Sequence, residues 1–195
     1  RRLRPIPIPG AGASDVQHPG ESAAPEDGVP GVVTVAHPSV QVFPTSGLSV
    51  DWAEQARELA GRCGLRLDPW QDWVIGNSLG VGQDGRFLAP EVGVNVARQN
   101  GKGVLLEVRE LVGILGMGER LIIHSSHAQD TSLEAMSRLV EALEEGGLVG
   151  ELKARGGVRN VNGQEGLIFR SGQKIRFRTR SKGSGRGFSC DCLIL

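Results

Sequence analysis

The chain lacks any long apolar run. No stretch of its 195 residues approaches the roughly 20 consecutive apolar residues that a membrane-spanning helix requires. None has the basic start and short apolar centre of a secretory leader, so no membrane partner is expected. Cysteine is scarce: Cys63, Cys190 and Cys192 are the three, and their irregular spacing excludes a disulfide framework and points to a reducing setting. Net charge is absent as well, at a formal value of zero, so whole-chain charge carries no information about partners. No internal repeat is visible. The chain does not begin with Met, and it stops on Cys192, Leu193, Ile194 and Leu195, which read as the middle of a buried strand. A fragment is therefore expected, cut at the C-terminus, with a cut at the N-terminus as a second expectation.

What is present is unevenly spread. Residues 1–48 are rich in Pro, Gly, Ala and Ser without periodicity. Such a segment buries too little apolar surface to offset its ordering entropy and is expected to be a disordered tail. Between positions 153 and 186 there are ten Lys or Arg against one acid, Glu165. The helical segment before it carries Asp130, Glu134, Glu141, Glu144 and Glu145 against Arg138 alone.

Helical signals come first. Asp51 and Glu54 have capping-box spacing, and Trp52, Ala56, Leu59 and Cys63 share one face, which predicts a helix over residues 51–63 ended by Gly64. A second helix is predicted from Asp68 as N-cap with Pro69 at the first helical position, carrying Trp70, Trp73 and Val74 and fading near Gly80. A strand is predicted over residues 87–96 and a helix over 104–115. Arg120 to His124 reads as a short strand. The next helix has Thr131 and Glu134 as a capping box and Leu133, Met136, Leu139, Val140 and Leu143 as its buried stripe. Short strands are predicted at 158–161, 166–170, 174–179 and 189–195, with Gly turns and a Gly-, Ser- and Arg-rich loop over 180–187. Strand and helix alternate, which predicts a parallel α/β sheet.

Between the predicted strand and helix lies Ala97-Arg98-Gln99-Asn100-Gly101-Lys102-Gly103. Backbone N–H groups at a helix N-terminus favour an anion, and a Lys in this place can reach terminal phosphates. Arg98 adds a second cation. An exposed loop with a chance Gly-Lys pair is the plain alternative. Upstream, Leu67-Asp68-Pro69-Trp70-Gln71 places a Gln on a first helical turn. Its amide can offer donor and acceptor to the edge of adenine, or it can reach back to the Asp68 backbone N–H. Downstream, Ile175, Phe177 and Thr179 alternate with Lys174, Arg176, Arg178 and Arg180. That cationic face suits a phosphate backbone, or marks an edge strand charged against aggregation. His124 and His127 lack further ligands at metal-binding spacing, so no metal site is expected. Cys190 and Cys192 read as small buried residues.

Together these stretches resemble the N-terminal ATPase domain of phage terminase large subunits, the motors that package DNA into viral capsids. The likeness spans about residues 65–195. Leu67 to Gln71 resembles the family's adenine motif, and Ala97 to Gly103 its variant phosphate loop. Gly118 to His127 resembles its second strand, and Arg186 to Leu195 the run into its Walker B strand, after which the family has an Asp-Glu pair. The resemblance implies a P-loop NTPase fold of the ASCE type over residues 49–195, incomplete at its C-terminus, with the family's nuclease domain absent. It implies ATP and Mg²⁺ as cofactors. It gives Gln71 the adenine, Ala97, Arg98, Gln99, Asn100, Gly101, Lys102 and Gly103 the phosphates, and Arg186 a role in reaching a neighbouring subunit's ATP. The implied partners are double-stranded DNA, a terminase small subunit, the portal protein of the procapsid and further copies in a ring, in the cytoplasm of an infected bacterium. Two departures stand out. Gly103 replaces the usual Ser or Thr that helps to hold Mg²⁺, and the Walker B acids are missing, so this stretch alone is expected not to hydrolyse ATP. A superfamily 2 helicase-like ATPase is a second possibility, although it would normally show Gly-Lys-Ser or Gly-Lys-Thr. A non-catalytic nucleic-acid-binding module is a third.

Overall fold

The computed structural model describes residues 48–97, 99–161, 163–180 and 189–195. Nearly all of the expected tail lies outside them. So do Arg98, Arg186 and most of the basic loop over 180–187.

The chain enters through a small strand, β1 (Leu48–Asp51), and leaves it for helix α1 (Ala53–Arg62). The predicted capping box does not form. The Asp51 carboxylate instead accepts the Ala53 N–H at 2.9 Å, which turns the chain and starts the helix two residues later than expected. The apolar face is as predicted: Ala56, Leu59 and Cys63 are buried. Helix α2 (Pro69–Ser78) begins as its sequence dictates, with Asp68 as N-cap, Pro69 inside the first turn and a complete capping box. It leads into β2 (Gly80–Gly82), which pairs antiparallel with β1.

The strand expected over residues 87–96 is not there. Phe87 makes a single bridge to Val81, and residues 91–97 are irregular. Pro90 lacks an N–H, and Val92 is 52% exposed. A strand needs a neighbour to satisfy its backbone polar groups, and among the described residues β2 lies alongside only as far as Leu88.

Helix α3 (Lys102–Leu111) follows and widens into a π-helical turn, Val112–Met117. The turn is closed by the Glu119 N–H on the Gly113 carbonyl at 2.8 Å. Arg109 and Glu119 clasp across it through two hydrogen bonds of 2.9 and 2.6 Å. Strand β3 (Leu121–Ser126) and helix α4 (Gln129–Glu145) come next. Here too the expected box, Thr131 with Glu134, gives way to an earlier start. The Ser132 hydroxyl bonds to Ser126 and to the Arg178 carbonyl, and the Ser132 N–H reaches the Ala128 carbonyl. These bonds fix the first turn around Ala128. The buried stripe is Ala135, Met136, Leu139, Ala142 and Leu143; Leu133 and Val140 are half-buried.

The remaining strands are β4 (Val158–Arg159), β5 (Gly166–Ile168), β6 (Lys174–Thr179) and β7 (Cys192–Ile194). With β3 they form one sheet in the order β4-β5-β6-β3-β7. β3 runs parallel to β6 and to β7, while β5 runs antiparallel to β6 and β4 to β5. The sheet is thus mixed, not parallel throughout. The reason is local: β4, β5 and β6 are joined by short Gly-bearing turns, and a parallel connection needs a crossover of about a dozen residues. α4 provides such a crossover between β3 and β6.

Register assigns the two faces. Ile122, Ile175 and Cys192 lie side by side, as do His124, Phe177 and Ile194. This face joins the helices in one apolar core with Leu105, Val108, Leu139 and Leu143. Leu121, Ile123, Lys174, Arg176, Arg178 and Leu193 belong to the other face. Ile123 is outside the core cluster, and Leu193 is 55% exposed. β6 lies between β5 and β3, which removes the edge-strand explanation of its cations.

Candidate functional site

The loop over residues 97–103 ends on Gly101, the N-cap of α3, whose φ of 71° is left-handed. Gln99 is also left-handed, at φ 63°, a conformation uncommon for a residue with a Cβ. Gly101 is required twice over. Its φ disfavours side chains, and a Cβ there would sit 2.6 Å from Gln71 Nε2. Having no side chain, Gly101 cannot cap the first turn of α3. The amides of that turn are therefore the kind of donors that an anion satisfies.

Lys102 is the first residue of α3. Its ammonium folds back and donates to the Val96 carbonyl at 2.8 Å and the Ala97 carbonyl at 3.0 Å. The cation is thereby held over its own loop. Gln71 stands behind the loop and is almost fully buried, at 1% exposure. Its Oε1 accepts the Asp68 N–H at 2.6 Å, and its Nε2 donates to the Gly101 carbonyl at 2.9 Å. The motif around residue 71 and the loop around residue 101 thus meet through one side chain. In this arrangement both ends of the Gln71 amide are engaged by backbone. It positions the loop, and it would have to let go of one partner to touch a purine edge.

Gly103 faces α4. A Cβ at 103 would lie 2.7 Å from Arg138 Nη2, so a guanidinium stands where a Ser or Thr side chain would project. Arg138 is held there by Glu107, with Nε 3.1 Å from the carboxylate. Among the described residues no group of three His, Cys, Asp or Glu side chains could hold a metal ion. Among the described residues of the loop itself none carries a hydroxyl or carboxylate that could ligate Mg²⁺.

Beneath the loop, α3 sends two carboxylates into the core. Glu110 is 1% exposed and 2.7 Å from Nδ1 of His124. His124 also packs against the Phe177 ring, with centroids 5.2 Å apart. Burial pushes the Glu110 carboxyl up, against the opposing pull of His124. Its second oxygen has no hydrogen-bond partner, which suits a neutral acid better than a buried anion. Burial likewise raises Glu107, opposed by Arg138.

Of the residues singled out in the sequence, Gln71, Ala97, Gln99, Asn100, Gly101, Lys102 and Gly103 are described, and Gln71 and the loop are adjacent. Arg98 and Arg186 lie outside the described residues. Sequence reasoning missed Arg138, Glu107 and Glu110. The signals were one cation on an otherwise acidic helix, and acids at 107 and 110 on the helix face that carries Val108 and Leu111 toward the core.

Compared with known proteins, the chain matches no family model, no curated protein and no solved structure.

Proposed function

We propose that residues 49–195 form the nucleotide-binding part of an ATP-driven DNA motor of the phage terminase type. The observation that carries this reading is the meeting of Gln71 with the Gly101 carbonyl behind an uncapped helix start that bears Lys102. An adenine-side motif and a phosphate-side loop 30 residues apart would have to be neighbours for one nucleotide to span them. A β-γ phosphate group would replace the Val96 and Ala97 carbonyls as the partner of the Lys102 ammonium and would take the first amides of α3. Arg98 and Arg186 would add cations from outside the described residues. The parallel pairing of β7 with β3 supports the reading too, since ligands of such sheets gather at the carboxyl ends of parallel strands. In the whole protein the motor would hydrolyse ATP and work on double-stranded DNA, with a small subunit, a portal and further copies as partners. Its metal would be held by carboxylates from outside the described residues.

Titration with ATP, GTP and tripolyphosphate is the test. The expected result is preference for ATP, and loss of tenfold or more in affinity for Lys102→Ala, about the 1.4 kcal/mol that one charge-assisted phosphate contact is worth at the low end. Equal affinity for all three, with no effect of Lys102→Ala, would favour a non-catalytic nucleic-acid-binding module, which the cationic face of β6 also suits.

A further inference from the structure

The face of the sheet turned away from the core gathers cations around a cavity. A cavity of about 540 Å³ opens there between β6 and the β4-β5 hairpin. Its cationic walls are Lys174, Arg176 and Arg178 on β6, Arg159 on β4, and Lys153 beyond α4. No described helix contributes to it. Lys153, Arg159, Lys174 and Arg176 make no ion pair among the described residues. Glu165 is the one acid between positions 153 and 180, and its carboxylate is turned to Gln129 on α4, at 3.2 Å, away from the cations.

Gly166 lies opposite Arg176 in the ladder, and a Cβ there would be 2.3 Å from the Ile175 carbonyl. Position 166 is thus held to glycine and adds no side chain to the wall beside Arg176. Like charges gathered on one face repel unless an anion meets them.

We infer that this groove binds the sugar-phosphate backbone of a nucleic acid, without reading its bases. Three features select that ligand. The cations of β6 recur at every second residue, about 6.6 Å apart, which is about twice the axial rise of 3.4 Å per phosphate along one strand. Lys174, Arg176 and Arg178 form a row along β6, which suits a polymer of regularly spaced charge better than a single small anion. Among the described residues no aromatic side chain lines it, so these residues offer no stacking platform of the kind used to hold unpaired bases, and phosphate contacts alone carry no sequence information. The inference needs no nucleotide at the loop over 97–103 and stands without that reading.

The test compares the full chain with two double variants, Lys174→Gln/Arg176→Gln and Lys153→Gln/Arg159→Gln, on opposite walls of the groove. Binding of a 30-base-pair duplex and of a 30-nucleotide single strand is followed by fluorescence anisotropy from 50 to 200 mM salt. Near-ultraviolet circular dichroism checks that each variant keeps the native fold. The logarithm of affinity falls with that of salt by about 0.9 for each phosphate neutralised on a duplex and about 0.7 on a single strand. On the duplex each double variant should therefore flatten the slope by about 1.8. Wild type would lose about 12-fold more affinity than the variant over that fourfold rise in salt. Scrambling the base sequence should change nothing, and a preference for duplex or single strand identifies the form that binds. Unchanged slopes in both folded variants would overturn the inference. So would polyglutamate displacing the duplex at equal charge concentration, since the groove would then be a site for acidic protein. Lys102→Ala serves as the control: it should leave these slopes intact even where it removes nucleotide binding, so the two readings fail separately.

Discussion

Glu110 is the residue whose ionisation the fold opposes most directly. It is enclosed in the core, and only one of its oxygens has a partner. Because burial raises its pKa, the folded chain holds this proton to higher pH than the unfolded chain does. Stability is unaffected below the ordinary carboxyl value of 4.5. It falls as pH climbs from there toward the raised value, and then levels off. Glu107 contributes in the same direction. Urea denaturation of Glu110→Gln at pH 5 and pH 8 should therefore show a smaller loss between the two than wild type does. An equal loss would mean that Glu110 is already ionised in the folded chain. None of this was visible from residue identity alone. His124 drew attention as a possible metal ligand, and the acid that faces it, 14 positions earlier, did not. Gln71 is the contrasting case. Both of its possible partners were evident in the sequence, and the Asp68 N–H is the one it has taken. Its second bond, to the Gly101 carbonyl, could not be foreseen, because it depends on how α2 docks against the loop.

Among the elements, α2 is the one its own sequence determines most fully. Asp68, Pro69 and Gln71 supply cap, first turn and return bond within four positions. Asp68→Ala should cost about 1 kcal/mol of stability, measurable as a lower denaturation midpoint at constant slope. A variant as stable as wild type would mean that packing, not the cap, sets the helix start. Elsewhere tertiary contacts overruled the local signal. Thr131 and Glu134 have the right spacing for a cap, yet α4 begins earlier because Ser126, Ala128 and Ser132 bond to one another across the turn. The segment over 87–96 has residues that suit a strand, but pairing is a property of two segments, and its own composition cannot provide the partner. β6 was legible to the residue, since strict alternation over six positions leaves one reading. Its central place in the sheet was not, because alternation says which face a residue takes and nothing about neighbours. Cys192, read as a small buried residue, proves half-buried, with its thiol pushed up to about 11 by burial.

At the scale of the whole molecule, the described fold is a two-layer arrangement, in which helices and one sheet face share the core. The two faces should respond to substitution very differently. Ile175→Ala removes a side chain that is 1% exposed and should cost about 2–5 kcal/mol. Leu193→Ser, on the other face and largely exposed, should change stability by less than about 0.5 kcal/mol. Thermal unfolding of the two variants checks this. A large cost at Leu193 would mean that a further segment of the protein covers that face.

The contact between Gln71 and the loop has an optical consequence. Gln71 is flanked on α2 by Trp70 and Trp73, and indole emission shifts with local polarity and packing. An anion whose binding shifts the loop, and with it the Gly101 carbonyl held by the Gln71 amide, should also disturb the first turn of α2. The chain should thus carry its own reporter of what happens at Lys102. Titration with ATP should change the tryptophan emission of wild type, and Trp70→Phe with Trp73→Phe should silence the signal while the third indole, Trp52, stays constant. An emission spectrum that does not move while ATP demonstrably binds would show that α2 and the loop are mechanically separate.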